Sequence, residues 1–496
     1  MKRLVFFLLT FIITAVSVPA RTIPLKAGIP IEKQVIYPNS TYVVSTIIDC
    51  EGKDIVIPEG CILRINSGGI CNGSLIGNNT KLKVRCKNGI AFIVKGTWLA
   101  PTIDDRFFDS SLLTDDQIIG NINNLQSDAI KNVIKIGAKD YNCSITKLGG
   151  AVLILRSNTK CMLSSTISLL PCSFPNYQIV QIYDVKDVEF RGGIIIGDLL
   201  DHPFTSDSSH EWGHGISIKN ASRVRVSSVV ITHCIGDGVV VGGWQEPNTN
   251  VFNKAAKQVR LENITSDDNR RQGLTIGHVD GLVVKRSRFI NTGQTKYTAP
   301  SSGIDIEPDA GAPWNHGTRN VLIEKCFASG NKYRQFLCHG FVNRDGEDNI
   351  QNILIRDCVF EGNCDIHTDG VRFVSSTMES ATFQGGRDLI DKVVFDECSF
   401  RGPTPIVLQG SHYRDEKGLM KGGNFGSIIL TKCKIGSGAS SSPLFSSSYS
   451  EIGKIEHVIL DRCTMILSSG GHDNQKIATG KFESIIQENR TKKVVR

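Results

Sequence analysis

The sequence predicts an all-β protein built as a solenoid, in which one chain winds into stacked coils of short parallel strands. Five segments of the second half superpose when they are written under one another. They are "VLIEKCFASGN" (321–331), "ILIRDCVFEGN" (353–363), "VVFDECSFRG" (393–402), "IILTKCKIGSG" (428–438) and "VILDRCTMILSSG" (458–470). Each begins with an alternating apolar strand, turns at charged residues and then places a cysteine in one register. No helix-length apolar periodicity separates the copies, which argues against leucine-rich and helical repeats.

A repeat of about 30 to 40 residues with β-branched strands and Gly/Asn turns indicates a parallel β-helix. Equivalent residues of adjacent coils then stack about 4.8 Å apart. The stacked register would hold Cys326, Cys358, Cys398, Cys433 and Cys463. We therefore expect these five of the 15 cysteines to be packed thiols rather than disulfides, because small apolar thiols suit protein interiors.

The first 20 residues, "MKRLVFFLLTFIITAVSVPA", predict a secretory signal peptide. Lys2 and Arg3 form its positive region, an apolar run follows, and small residues end it at Ala20. No later stretch approaches about 18 uninterrupted apolar residues, so no membrane span is expected in the mature chain. The protein is therefore predicted to be secreted, periplasmic or attached to the cell surface, with the choice left open.

The net charge of +7 is mild for 496 residues, and no concentrated basic run precedes "NRTKKVVR" at the end. Nucleic-acid binding requires a clustered basic footprint, so we expect no nucleic-acid partner. An acidic substrate is compatible with this charge without being required by it. The oligomeric state cannot be read from these features.

Within residues 21–123 the sequence predicts a β-rich segment, and within 124–470 a β-helix preceded by a cap helix. Ser127 can cap that helix, and Ile130, Val133 and Ile134 fall on one of its faces. Residues 471–496 lose the repeat and are interpreted as a C-terminal tail or cap.

The coil pattern resembles the right-handed parallel β-helix superfamily that contains pectate lyases, polygalacturonases and phage tailspikes. The lead-in at 127–155 resembles that of the superfamily, in which an amphipathic helix caps the open end before the first coil. The segment "IVIPEGCILRINSGGICNGSLIGNNTKL" (55–82) is similar to an N-terminal β segment of exported members. Residues 194–218 with "RRQGLTI" (270–276) and "GIDIEPD" (303–309) resemble a group of exported polysaccharide-acting proteins. The resemblance implies the right-handed fold and a polysaccharide partner, and it leaves the reaction open.

A second set of strands defines the predicted outward face. The strands are "HGISIKN" (214–220), "DGVVVGG" (237–243), "QGLTIGH" (272–278), "SGIDIEP" (302–308), "FLCHG" (336–340), "DGVRFVS" (369–375) and "TPIVLQG" (404–410). Alternate side chains of a strand face opposite sides, so two outward columns follow. The first contains Ser217, Val240, Thr275, Asp305, Leu337, Arg372 and Val407, and the second Lys219, Gly242, Gly277, Glu307, His339, Val374 and Gln409.

The predicted catalytic residues are Asp305, Glu307, Arg372 and His339. Acids are poor strand formers, so Asp305 and Glu307 on one strand between Gly and Pro are unexpected on propensity alone. Their Cβ atoms should lie about 6.5–7 Å apart, which does not separate retaining from inverting carboxylate pairs. His339 should lie one strand from Glu307, and Arg372 two strands from Asp305 in the same groove.

The predicted substrate-binding residues are Lys219, Asp237, Arg271, His278, Trp244, Trp314 and Asp369. Aromatic faces bordered by polar groups suit stacking on sugar rings. Structural roles compete with this interpretation: Asp237 and Asp369 precede glycine in pairs that favour turns, and His278 lacks the ligand spacing of a zinc site.

Three functions remain open on the sequence, and the protein is expected to be an enzyme under two of them. A glycoside hydrolase would use Asp305 and Glu307 as its acid and its base or nucleophile, with no cofactor. A polysaccharide lyase acting on a uronate would hold Ca²⁺ through Asp305, Glu307 and Asp309, with Arg372, Arg271 or Lys219 as the base. A non-catalytic glycan-binding solenoid needs only the fold.

Overall fold

The computed structural model describes two compact units of the chain, Met1–Ala100 with Arg106–Leu113, and Pro101–Asp105 with Thr114–Arg496. The described residues are 21–206, 208–245, 252–253, 255–308, 317–340, 350–385, 390–410, 412–414, 420–422, 425–436, 442–447, 455–467, 478–479, 485–488 and 491–495. The predicted signal peptide, residues 1–20, lies outside them and stays a prediction, as do the predicted limits of the segments.

The first unit is itself a stack of short parallel strands. Its strands are Thr22–Pro24, Thr41–Val44, Ile47–Asp49, Asp54–Val56, Ile62–Ile65, Gly69–Val84 and Ile90–Leu99, with one helical turn at Ile31–Gln34. All of their pairings are parallel, and Thr41 pairs with Thr22 on one side and with Ile62 on the other. Alternate residues are buried in several of these strands, for example Tyr42 and Val44, so one face of these strands forms the core.

The second unit repeats three strands per coil, which stack into three parallel ladders. Ladder A contains Thr102–Asp104, Asn132–Ile136, Thr159–Leu163, Lys186–Arg191, Ser222–Ser227, Ala256–Glu262, Val279–Lys285, Thr318–Glu324, Ile350–Arg356, Val371–Val374, Ile390–Asp396, Phe425–Thr431, Ile455–Asp461 and Ile485–Glu488. Ladder B contains Tyr141–Cys143, Thr166–Leu169, Ile194–Ile196, Val230–Thr232, Thr265–Asp267, Arg288–Ile290, Phe327–Ser329, Val359–Ile366, Thr377–Gly385, Ser399–Phe400, Lys434–Ile435, Thr464–Leu467 and Lys492–Val495. Ladder C contains Gly150–Ile154, Asn176–Tyr183, Trp212–Lys219, Val239–Gly242, Gln272–Ile276, Ser302–Ile306, Phe336–Cys338, Ile406–Gly410, Phe445–Ser447 and Ala478–Thr479, and it shares Val359–Ile366 and Thr377–Gly385 with ladder B.

This arrangement is the predicted all-β, single-stranded parallel β-helix. Aliphatic and aromatic side chains fill its interior, as at Leu274, Ile304 and Phe336, which are all 0% exposed. Two antiparallel pairs lie outside the ladders, Trp244–Gln245 with Phe252–Asn253 and His412–Arg414 with Met420–Gly422. In the described part of the chain, no helix is long and apolar enough to span a membrane.

The helix predicted to start at Ser127 is wrong, because residues 127–131 form turns and Asn132–Ile136 is a strand of ladder A. The apolar residues of that stretch alternate with period two, and Ile134 and Ile136 are buried as in any strand here. A helix instead spans Asp115–Leu125. A capping box holds its start, where Thr114 Oγ1 accepts from the Gln117 backbone N–H at 3.2 Å. It contacts the first strands of ladders B and C; a capping role for it stays a prediction.

The five repeated cysteines lie in the interior as free thiols, each at most 2% exposed. Their thiols donate to backbone carbonyls, as Cys433 does to Thr431 O at 3.4 Å. The long interval between Cys358 and Cys398 contains two coils instead of one. Ser376, 18 residues after Cys358, occupies the cysteine register in the extra coil and accepts from the Cys358 backbone N–H through Oγ at 3.2 Å.

The described residues of 471–496 add strands to the ladders, although the sequence repeat is not visible there, and the interpretation of this segment as a C-terminal tail or cap stays a prediction. Ala478–Thr479, Ile485–Glu488 and Lys492–Val495 pair in parallel with the preceding coil. The sequence signal fails because this coil has no cysteine in the shared register.

Candidate active site

The first outward column of ladder C differs from the predicted one after Leu337. The register runs Ser217, Val240, Thr275, Asp305, Leu337, Asp365, Thr382 and Val407. Arg372 is not in it, so its predicted place beside Asp305 is wrong. It lies on ladder A between Leu354 and Val394, half exposed, and contacts Asp396 at 3.3 Å.

Asp369 is also misplaced, because the strand "DGVRFVS" belongs to ladder A of the extra short coil. The residue stands in the bend that leads into Val371–Val374, away from the column of Asp237. The residues that ladder C presents in this coil are Asp365 and His367. They repeat the spacing of Asp305 and Glu307 in "CDIH", a pattern similar to "IDIE" that the sequence already contains.

Asp305 lies at the centre of the site and is 0% exposed. Gln272, on the neighbouring strand, donates through Nε2 to Asp305 Oδ2. The orientation of this amide is fixed, because Gln272 Oε1 accepts from the Ser302 backbone N–H at 3.0 Å and a backbone N–H can only donate. Asp305 Oδ1 is buried without a hydrogen-bond partner among the described residues.

The carboxyl of Asp305 is held in surroundings that favour its protonated form. Burial raises its pKa well above the ordinary value, and the nearby carboxylates of Glu307 and Asp237 raise it further, while Arg271 opposes them. Because Oδ2 already accepts the amide proton of Gln272, Oδ1 is the oxygen that carries the proton in the protonated form. In that form the O–H of Asp305 has no acceptor in the described chain.

Arg271 is the cation around which the carboxylates of the site gather. Its Nη1 donates to Asp237 Oδ2 at 3.2 Å, and its Nη2 lies 4.0 Å from Glu307 Oε2. Its Nε lies 4.0 Å from Glu211 Oε2, and the guanidinium stands 5.2 Å from the ring centroid of Trp212. The Arg271 side chain is 12% exposed, so it acts as a buried link between the acids and the aromatic ring.

Asp237 lies in the floor of the site, 1% exposed. Besides Arg271 it accepts from Thr275 Oγ1 at 2.9 Å. Burial raises its pKa, although Arg271 and Thr275 lower it. Its backbone N–H donates to His214 Nδ1 at 3.1 Å, so the proton of that imidazole is on Nε2. Burial, with Lys219 and Arg271, holds the pKa of His214 well below its ordinary value, and the ring is neutral.

The second outward column places His339 next to Glu307, as predicted, because the His339 backbone N–H donates to Ile306 O at 2.8 Å. His367 follows one coil later, and the two imidazole centroids are 5.0 Å apart. Burial lowers the pKa of His339, and burial followed by His339 and Arg334 lowers that of His367 to about 3. Arg334 Nε lies 2.6 Å from Asp365 Oδ1 beneath them.

The remaining predicted binding residues have varied places. Lys219 lies at the end of its ladder C strand with its ammonium 5.7 Å from the ring centroid of Tyr183. His278 is 4% exposed at the corner between ladders C and A. Asp309, Trp314 and the side chain of Trp244 lie outside the described residues. Trp212, which precedes the predicted face, is 47% exposed beside Arg271 and offers an aromatic surface to solvent.

Sequence reasoning missed the partner roles of Glu211, Gln272 and Thr275. Thr275 belongs to the predicted first column and Gln272 begins the same predicted strand, but the fixed amide orientation of Gln272 depends on the backbone of the next coil. Glu211 accepts from Thr298 Oγ1 at 2.8 Å, a contact across 87 residues of sequence. No local pattern predicts such a contact.

Among the described residues, the group of three potential metal ligands whose atoms converge is Cys172, Asp198 and His202, away from the carboxylates of the site. Between Asp237, Glu307 and Glu211 the central position is taken by the guanidinium of Arg271.

No family model matches the chain. Over 162 residues it is 29% identical to YclG, an uncharacterized protein of Bacillus subtilis (strain 168), and over 168 residues 28% identical to YorA, an uncharacterized protein derived from the SPbeta prophage in the same strain. Each match covers 32% of this chain and 28% of the relative, so the chain matches less than a third of their lengths.

Two solved structures share the architecture. The Agl-KA catalytic domain matches with a TM-score of 0.52 at 11% identity, over 80% of this chain and 68% of that chain. A mutant tailspike protein of E. coli bacteriophage HK620 in complex with a pentasaccharide matches with a TM-score of 0.51 at 11% identity, over 78% and 71%. At this identity the shared property is the fold.

Proposed function

Since the chain has the right-handed parallel β-helix fold of the pectate-lyase-like superfamily, we propose that it is an exported glycoside hydrolase that cleaves a polysaccharide on the outward face of ladder C. The observation that carries the proposal is Asp305 Oδ1, a buried carboxyl oxygen without a partner among the described residues. Buried polar atoms are nearly always paired, so an orphan of this kind calls for a ligand.

In the proposed reaction Asp305 is the general acid. Its Oδ1 proton passes to the glycosidic oxygen as the bond from that oxygen to the anomeric carbon breaks. Gln272 holds Oδ2, so the acid cannot turn its proton away from the substrate. Burial raises the pKa of Asp305, which favours the protonated form that a general acid requires.

Glu307 is the proposed base or nucleophile. Its side chain is 36% exposed, the most accessible carboxylate in contact with Arg271, so it can reach a substrate above Asp305. The charge of Arg271 favours the ionised form of Glu307, as a base or nucleophile requires. When Glu307 takes the proton of the attacking water, it later releases that proton to solvent, and solvent returns a proton to Asp305, which closes the cycle.

The charge around the acids supports a substrate without a dense negative charge. With Asp305 neutral, three carboxylates (Glu211, Asp237 and Glu307) surround the single guanidinium of Arg271. Lys219, which also acts on Asp237, offsets one of these charges, so a small negative excess remains and disfavours a chain of uronates. The exposed ring of Trp212 offers a stacking surface for a sugar ring next to the acids. A solved protein of the same fold holds a pentasaccharide, which is consistent with this use of the fold.

The calcium-assisted lyase has less support. A protonated Asp305 is a poor ligand for a hard cation, and Arg271 already occupies the position between the carboxylates. Asp309, the third ligand in that alternative, lies outside the described residues.

The test exposes the mature protein to a panel of neutral and acidic polysaccharides, with and without chelator. New reducing ends and the absorbance of unsaturated uronates are followed together, in wild type, Asp305→Asn, Glu307→Gln and the control Glu262→Gln, a carboxylate of ladder A. We expect reducing ends without the absorbance, insensitive to chelator, lost in both site variants and retained in the control. Absorbance abolished by chelator would establish the lyase instead, and binding without cleavage by wild type would establish a binding solenoid.

A further inference from the structure

A buried series of polar side chains lies just before Trp212, in a part of the chain that the proposed reaction does not use. Its members are Tyr177, Asp198, His202 and His210, between 0% and 4% exposed, and it ends at the exposed Thr205. We call these five residues the histidine relay. The two histidines and Asp198 belong to "GDLLDH" and "HEWGHG", the segments that showed one of the resemblances.

The hydrogen bonds of the relay between Thr205 and Asp198 all point the same way, towards Asp198, and the backbone N–H of Thr205 determines this direction. The Thr205 backbone N–H donates to His210 Nε2 at 3.2 Å, so that nitrogen carries no proton. The proton of His210 is therefore on Nδ1, which donates to His202 Nε2 at 2.8 Å. His202 is in turn protonated on Nδ1, which donates to Asp198 Oδ2 at 2.7 Å. Both imidazoles are neutral in this arrangement, and every ring nitrogen has a partner.

Asp198 is the ionised end of the relay. Burial alone would raise its pKa, but hydrogen bonds from His202, Tyr177 and the Cys172 backbone N–H hold that pKa below its ordinary value. The Cys172 thiol remains protonated, because burial raises its pKa to about 12.

Cys172, Asp198 and His202 offer the ligand types of a zinc site, but their geometry is that of a hydrogen-bond network. Two ligands of one tetrahedral zinc lie about 3.4 Å apart, since each stands about 2.0–2.2 Å from the metal. His202 Nδ1 and Asp198 Oδ2 are only 2.7 Å apart, and His202 Nε2 is already bonded to His210. The group is thus a connection between chain segments.

Two cations of later coils contact residues 198–210, which we call the relay segment because they contain most of the histidine relay. Arg270 Nη1 donates to the carbonyls of Ser209 at 3.1 Å and His210 at 2.7 Å. Lys296 Nζ donates to the carbonyl of Leu199 at 3.0 Å, and both cations stand within 5 Å of the ring centroid of Phe204. Arg270 is the immediate neighbour of Arg271 in the chain, so one dipeptide contacts the relay segment with one side chain and the acids with the other.

The relay ends where the candidate active site begins. His210 is followed by Glu211 and Trp212, which are the two residues that approach Arg271 at 4.0 Å and 5.2 Å. A shift of His210 is therefore passed on to both of them through the backbone.

We propose that the histidine relay positions Glu211 and Trp212 at the rim of the active site and thereby sets how tightly a sugar ring is held beside Asp305. The relay residues touch no reacting group and act through Trp212. The role in substrate binding rests on the proposed hydrolase function, whereas the positioning itself does not.

The test compares His210→Phe, which keeps a ring but loses both nitrogens, with His210→Asn, which keeps a donor near the Nδ1 position. Thr205→Val is a milder variant at an exposed residue, and His233→Phe, a half-buried histidine outside the relay, is the control. Hydrogen exchange of the amides at 208–212 and acrylamide quenching of Trp212 are measured without substrate. Subtracting the signal of the matching Trp212→Phe protein isolates the quenching of Trp212.

We expect His210→Phe to speed exchange at 208–212 by about tenfold or more and to increase the quenching of Trp212. Recovery in His210→Asn and no change in His233→Phe are expected as well. With a cleaved polysaccharide in hand, His210→Phe should raise KM by about tenfold while kcat changes less than about twofold. If His210→Phe does not fold, Thr205→Val should shift exchange and quenching in the same direction.

Unchanged exchange and quenching in folded His210→Phe and Thr205→Val would overturn the positioning role. A fall in kcat with unchanged KM would overturn the role in binding. Wild-type protein that cleaves no polysaccharide but shows the expected exchange would refute the hydrolase and leave the positioning standing.

Discussion

The same coils carry acidic residues on two faces, and the pKa values of these residues shift in opposite directions on the two faces. On ladder C, Asp237 and Asp305 are at most 1% exposed, and burial raises the pKa of both. On ladder A, Glu262 contacts three arginines that are each about half exposed, and their contacts lower its pKa to about 2. Glu324 behaves like Glu262, because Lys285 and Arg356 lower its pKa to about 2.

The contrast shows that two factors decide whether a carboxyl is ionised or protonated. They are the ratio of cations to acids around it and the exposure of these groups to solvent. Ladder A has more cations than acids around Glu262, so this acid stays ionised and stabilises the coil stack. Around Asp305 on ladder C, the guanidinium of Arg271 serves Asp237, Glu307 and Glu211 together, so the protonated form of Asp305 is favoured. An excess of salt-bridge partners makes a structural face, and a shortage of them makes a face suited to acid catalysis.

The largest expected effect on this contrast comes from Asp305→Asn. Removing a general acid costs about 10²–10⁴-fold in rate, so we expect kcat on a cleaved polysaccharide to fall by about 10³-fold. Glu262→Gln, the equivalent change on ladder A, should leave kcat within about twofold. Equal losses in the two variants, measured by reducing-end release at pH 7, would mean that the two faces do not differ in function.

A smaller effect is expected when one arginine partner of an acid is replaced on each face, Arg271 on ladder C and Arg260 on ladder A. Arg271→Met leaves Asp237 buried without its cation, and breaking a buried pair in this way costs about 3–5 kcal/mol of unfolding free energy. Arg260→Met leaves Glu262 with Arg225 and Arg286, so the cost should stay below about 1 kcal/mol. Urea unfolding at pH 7 measures both, and similar costs would contradict the contrast.

Trp212→Ala sharpens the contrast at the rim of ladder C. Loss of a stacked aromatic costs about 0.5–1.5 kcal/mol beyond its area, so KM should rise by up to about tenfold with kcat nearly unchanged. Tyr297→Ala is a matched control, because Tyr297 is 60% exposed but lies outside ladder C. A fall in kcat for Trp212→Ala would place this ring in the chemical step instead of binding.

The smallest effect is the response to acid. The pKa of Glu262 is lower in the folded than in the unfolded chain, so its stabilisation is present above about pH 4.5 and is lost as the pH falls to about 2. Because its arginine partners are exposed, Glu262→Gln should remove only about 1 kcal/mol of this dependence. The raised pKa of Asp305 has the opposite sign, and stability falls as the pH rises above 3.8. Unfolding free energies at pH 2, 4 and 7 for wild type, Glu262→Gln and Asp305→Asn separate the two.

The fold could be predicted because every coil of a solenoid repeats the same sequence pattern. The alternation of apolar residues and the recurring cysteine register are local signals, and each coil contacts mainly its neighbours. The same alternation placed Asp305, Glu307 and His339 correctly, since the period of a strand fixes which side chains share a face. The helix failed for a related reason, because Ile130, Val133 and Ile134 fit one face of a helix, whereas Ile134 and Ile136 fit the period of two that the strand adopts.

Other parts of the site could not be predicted, because they depend on how coils align. Arg372 and Asp369 were assigned to the wrong face because the interval from Cys358 to Cys398 holds two short coils instead of one, with Ser376 in the register of the expected cysteine. The amide orientation of Gln272 and the tautomers of His202 and His210 are set by backbone N–H groups of Ser302 and Thr205. These orientations and tautomers are determined only when the coils have stacked.

The stacked cysteines have a consequence for how the chain must mature. Neighbouring thiols on adjacent coils lie on backbones about 4.8 Å apart, within the range that a disulfide can bridge. In the finished protein their enclosure keeps oxidants away, but an open coil gives no such protection. The burial of these thiols during folding therefore competes with their oxidation to disulfides. Refolding with oxidised glutathione should yield cross-linked chains on a non-reducing gel, whereas the folded protein under the same treatment should stay reduced at these five positions.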